Sequence, residues 1–193
     1  MSSKFKFMPI STPAKMTVRK NSHHLIITRR RFEIEYVFWT LVVIAYDVFG
    51  LPYLYRWYIM TFSVPKVDIF SILIPLFNAL LILAANYALM IGFFNTTVIS
   101  VTSNVISVKD GPFPIWGNKR LASKDVLQLY CKKENVWNKF YVSTDFSVEA
   151  VMDGKSNVTL LFNLKQADQA LFVEQEIEKF LNIEDKPIKG EFK

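Results

Sequence analysis

The stretch Ile69–Phe94, IFSILIPLFNALLILAANYALMIGFF, has no charged residue in 26 positions. At about 1.5 Å per residue a helix of this length exceeds the roughly 30 Å hydrocarbon core of a bilayer. The stretch therefore reads as a membrane span with some tilt. Pro75 lies about a turn and a half inside it, where a helix can kink. Asn78 and Asn86 are eight residues apart, so they lie near one helical face and are expected to point at another helix.

Moving toward the N-terminus, Tyr36–Tyr55 reads YVFWTLVVIAYDVFGLPYLY and gives a second span. Aromatics cluster at its two ends, Tyr36, Phe38 and Trp39 and then Tyr53, Tyr55, Trp57 and Tyr58, as expected of interfacial belts. Gly50 and Pro52 predict an end or bend in this helix. That would put Asp47 near the far interface, hydrated or paired with Arg56. The alternative is a buried functional carboxylate, since charge at depth is costly. No small-x-small cleavage site follows the apolar run, so both spans are expected to stay in the mature protein.

The charge is unevenly spread. Residues 1–31 carry eight basic residues and no acid, residues 32–94 sum to −2, and residues 95–193 balance at zero, for a net +6. The excess lies just ahead of the first span, where Arg29, Arg30 and Arg31 predict a cytoplasmic N-terminus; a two-span hairpin then returns the C-terminus to the same side. This placement, without a reading motif, argues against nucleic acid despite a pI near 9.3.

After Phe94 the apolar residues alternate instead of running on. NTTVISVTSNVISVKDG predicts two strands with a turn near Ser103-Asn104. GPFPIWGN follows as a Pro- and Gly-rich loop, then DVLQLYCKKE as a strand. A hairpin is expected around Asp153-Gly154-Lys155. QADQALFVEQEIEKFL predicts an amphipathic helix with Ala170, Leu171, Val173, Ile177, Phe180 and Leu181 at intervals of three and four. In the basic arm, MTVRK and HHLIITRRR flank a turn at Asn21-Ser22, a hairpin that cannot stand alone and is expected to join the C-terminal sheet. The fold class that results is a membrane α-helical hairpin plus an α+β cytoplasmic domain. Its domains are a basic arm (1–31), a two-span hairpin (32–94) and a soluble part (95–193). About seven strands and a closing helix are the element order of a pleckstrin-homology-like antiparallel β-barrel or sheet with a C-terminal amphipathic helix.

No catalytic constellation emerges from the residues. There is no Gly-x-Ser-x-Gly elbow, no phosphate-cradling Gly loop and no His-Glu-x-x-His. A single cysteine, Cys131, excludes an internal disulfide framework and a Cys-based zinc site, and reads as a small buried hydrophobe. His23 and His24 are adjacent, so on a strand they point to opposite faces and do not chelate together. Glu174, Glu176 and Glu178 read as a solvated helix face. No cofactor and no metal are expected. The candidate contact residues are Phe113, Ile115, Trp116, Lys119 and Arg120, an aromatic patch beside two cations that suits a partner protein or an anionic lipid headgroup. The alternative is that Phe113 and Trp116 cap the open end of a barrel. Two helices alone cannot enclose a solute path, so transport would need a homo-oligomer or another subunit.

The segments GPFPIWGNKRLASKDVL, LYC and ALFVEQEIEKFLNIED, with LIITRRRF ahead of the first span and Asp47 within it, resemble a family of uncharacterised bacterial two-span membrane proteins. The resemblance implies a pleckstrin-homology-like cytoplasmic part and a location in the bacterial plasma membrane, but no activity. A more distant similarity is to photosystem I assembly proteins with a two-helix hairpin, carried by Gly117, Asn118, Lys119, Arg120 and the EIE of the last helix. The basic arm with its extra hairpin departs from that family. The functional expectation is a non-enzymatic membrane-anchored adaptor or assembly factor of a larger membrane complex. Its alternatives are an anionic-lipid-binding module, a photosystem-assembly-like factor in a thylakoid, and a membrane-bound enzyme using Asp47.

Overall fold

The computed structural model describes residues 11–63, 68–113, 117–137, 142–154, 156–188 and 190–192. The chain divides into two compact units, Met1–Arg30 with Thr96–Lys193, and Arg31–Asn95. The basic arm thus belongs to the same unit as the C-terminal residues, and the helical unit is an insertion between two of that unit's strands.

In the first unit, β1 (Met16–Lys20), β2 (Leu25–Arg30), β3 (Thr96–Val101), β4 (Val105–Gly111) and β5 (Lys119–Ala122) form an antiparallel five-stranded sheet in that order. The arm hairpin joins through β2, which pairs along its whole length with β3, from Leu25 opposite Val101 to Arg30 opposite Thr96. The pleat sends alternate residues inward. In β2 these are Leu25, Ile27 and Arg29, and in β3 Thr97, Ile99 and Val101. A second sheet holds β6 (Val126–Trp137), β7 (Val142–Met152) and β8 (Val158–Leu164). The C-terminal helix α3 (Ala167–Leu181) packs against β2, β6, β7 and β8. Ala170, Val173 and Ile177 enter one core with Ile99, Leu129, Val148 and Leu164. Asn182 ends α3 in the left-handed conformation, φ 56°, and Ile183 N–H returns to the Glu178 carbonyl.

The architecture is α+β, but among the described residues no strand pairing closes the two sheets into a barrel. Among the described residues there are eight strands where about seven were expected. The extra one is β5, KRLA, which is too short and too charged to alternate visibly and was read as part of a loop. Lys155 of the expected hairpin turn lies outside the described residues.

The second unit is two helices, α1 (Glu35–Phe62) and α2 (Ile69–Phe94), both long and apolar enough to cross a membrane. The protein buries almost none of either, only Thr61 in α1 and Ile82 and Gly92 in α2. Asp68 caps α2, its carboxylate accepting from the N–H groups of Phe70 and Ser71. Of the end or bend expected at Gly50 and Pro52, the end is not found: α1 continues ten residues beyond Pro52 to Phe62. A proline removes one backbone hydrogen bond, whereas ending a helix leaves several backbone carbonyls without partners.

Candidate functional site

The β4–β5 connection was the first candidate. Asn118 Oδ1 accepts from Asp110 N–H at 2.9 Å, and Thr97 Oγ1 donates to Asp110 Oδ1 at 2.5 Å, fixing both loop ends. Gly117 sits at φ +139°, which side-chain-bearing residues rarely adopt. Phe113 is half-buried, while Ile115 and Trp116 lie outside the described residues.

Lys119 and Arg120 are on β5, not in a loop, and successive strand residues face opposite ways. The Lys119 ammonium donates to the Thr159 carbonyl of β8 and sits 5.9 Å from the centre of the Phe162 ring. Burial pushes its pKa down. Arg120 is exposed, opposite Ser107 of β4. The two cations therefore do not form a joint patch: one ties the five-stranded sheet to the three-stranded one, and the other faces out.

The polar candidates of the two apolar helices, Asp47, Asn78 and Asn86, form a polar seam inside the helical pair. Tyr46 O–H donates to Asn78 Oδ1, and Asn86 Nδ2 donates to Asp47 Oδ2 at 3.0 Å and to the Ile82 carbonyl at 3.0 Å. Trp57 Nε1 adds a third cross-helix bond, to the Ser71 carbonyl at 3.2 Å. Asn78 and Asn86 do face another helix, and it is α1. With α1 unbroken, Asp47 is mid-helix instead of at a helix end, and its partner is Asn86 and not Arg56. Its second oxygen, Oδ1, is buried without a hydrogen-bond partner.

A third cluster was misread from sequence. Glu174 and Glu178 are 4% and 0% exposed, where a solvated face was expected. Residues four apart return to the same helical face, and this face is the one carrying Ala170, Val173 and Ile177. Only Glu176 turns away, pairing with Lys20 of β1 at 3.5 Å. Glu178 Oε1 accepts the Leu129 N–H of edge strand β6 at 3.0 Å, and Oε2 of each glutamate is unpartnered. Burial is the main cause that raises Glu174 to about 7 and Glu178 to about 8, with Asp185 and Glu191 of the following segment adding repulsion. Cys131, buried as expected and beside Glu174, has its thiol pushed up by the same desolvation. The spacing E-x-x-x-E within an apolar stripe was the available signal.

Among the described residues no group of three or more His, Cys, Asp or Glu is placed to hold a metal ion. No family model matches the chain, and no curated protein matches it.

Proposed function

We propose that this chain is a non-enzymatic, membrane-anchored adaptor or accessory factor of a larger membrane complex. The observation that carries the reading is the helical pair. Two helices of 28 and 26 residues present a nearly continuous apolar surface that the protein itself leaves uncovered, and they are spliced into a folded two-sheet unit. Water would penalise that surface by about 25 cal/mol per Å², so a bilayer is its natural solvent. The +8 charge of residues 1–31 favours a cytoplasmic N-terminus, and a hairpin puts the C-terminus on the same side. The plasma membrane of a bacterium is the proposed location, or a thylakoid membrane if the organism is photosynthetic.

The two-sheet unit with its closing helix is read as an open pleckstrin-homology-like module, in keeping with the resemblance to the bacterial two-span family. A partner is proposed to meet the β4–β5 loop and Arg120, since Trp and Arg often dominate interfaces and Trp116 is four positions from Arg120. An anionic-lipid reading of Lys119 with Arg120 has less support, because Lys119 is engaged with Thr159. The test is recovery of the tagged protein in mild detergent from its own membrane, followed by mass spectrometry. A reproducible membrane-protein partner should be lost in the Trp116→Ala, Arg120→Ala double variant while accumulation is unchanged. Recovery of the protein alone at every expression level would refute the reading. Cysteine labelling at residues 2 and 190 of intact cells should find both shielded.

A further inference from the structure

Helix α1 carries one cation that no described side chain of the helical pair engages. Arg56 is the sole basic residue of α1, and α2 has none. It is exposed, and among the described residues no ion pair or hydrogen bond engages its guanidinium. It lies six residues before the end of α1, about 9 Å along the axis, a depth from which an arginine reaches the interface by extending its stem.

The space around it has two adjoining parts, of which only the first is lined by a charged residue. An open groove of about 610 Å³ is lined by Arg56 with Tyr53, Trp57, Met60, Thr61 and Ser71, mostly apolar surface with the guanidinium as its one charge. A second, of about 550 Å³, shares Thr61 and Ser71 and runs on along apolar side chains toward Pro75 and Ala79. Trp57 Nε1 holds the Ser71 carbonyl, which keeps the wall between the helices in place. A charged mouth continuous with an apolar channel matches a molecule with an anionic head and a hydrocarbon tail. Zwitterionic and anionic phospholipids both offer a phosphate to the guanidinium, but only the anionic one brings a net negative charge to balance it at the interface.

We propose that this groove is a binding site for an anionic phospholipid, with the headgroup phosphate on Arg56 and an acyl chain in the channel beside Pro75 and Ala79. The inference rests on the membrane-anchored part of the proposed function and not on a protein partner or the β4–β5 loop. It is tested on the full chain in mild detergent by native mass spectrometry, titrating phosphatidylglycerol and phosphatidylcholine of identical acyl chains. Phosphatidylglycerol should be retained about fivefold over phosphatidylcholine, and the preference should fall with rising salt. Arg56→Gln should reduce the preference to less than about twofold and Arg56→Lys should keep most of it. Ala79→Phe, which fills the channel, should lower retention of both lipids together. Equal retention of the two lipids by the unaltered protein would overturn the proposal. So would an unchanged preference in Arg56→Gln, or a dimer that excludes lipid. Should Arg56→Gln fail to accumulate, the salt dependence of the unaltered protein decides.

Discussion

The helices of the two units solve one problem in opposite ways. α3 has 15 residues and buries seven of them, because two sheets are there to receive its apolar stripe. α2 has 26 residues and buries two. Carboxylates follow the same division. Glu178 is wholly enclosed by protein and is anchored by a backbone N–H, whereas Asp47 is held by a single side chain from the neighbouring helix. A helix that brings its own periodic face can rely on the rest of the chain. A helix apolar on all sides needs a solvent that the chain does not supply.

The largest expected effect comes from breaking one side of this comparison alone. Deleting residues 1–28 removes β1 and most of β2, with the fully buried Leu25 and Ile27. The β3 edge would then be bare and the core opened. Limited proteolysis should find residues 96–193 rapidly cut while the helical pair survives in detergent. Equal resistance before and after deletion would mean that the arm is a decoration.

The buried glutamates make the two-sheet unit sensitive to pH. Both are raised above their usual 4.5, to about 7 and about 8. The native state therefore binds more protons than the unfolded chain across that interval, and stability falls as pH rises. The contribution is complete below about pH 4.5 and lost as pH passes through 7 to 8. The thermal midpoint should drop between pH 5 and 9 by an amount worth a few kcal/mol, and Glu178→Gln should flatten the slope. A rising midpoint would show the carboxylates to be stabilised as anions.

In the helical pair, Asn86→Leu leaves both Asp47 oxygens without a partner and should destabilise the hairpin by about 1–3 kcal/mol. Adding Asp47→Leu should restore most of it, because an apolar pair leaves nothing unsatisfied. Detergent unfolding of the single and double variants measures this coupling; additive losses would mean the two residues act separately. The smallest effect separates the neighbouring cations. Lys119→Ala should cost about 1 kcal/mol by freeing the Thr159 carbonyl, and Arg120→Ala should stay within about 0.5 kcal/mol. Equal losses would show that the two cations share one role.

Several elements could be read directly from residue order. A run of 26 uncharged residues announces a helix long and apolar enough to cross a membrane, and alternation announces β3 and β4. The stripe at 170, 173 and 177 announces α3. These signals are local, since each is the period of one element. What sequence order could not decide was which distant groups become neighbours. Pro52 looked like a helix end because its local cost is visible, while the larger cost of leaving a whole turn of backbone groups unpaired is not. Lys119 looked like a free cation because Thr159 lies 40 residues away. Glu174 and Glu178 looked solvated because charge normally is, yet the two sheets close over the helix face on which they sit. The pattern of residues determined the elements; the partners of Asp47, Lys119, Glu174 and Glu178 came from long-range packing that no local period encodes.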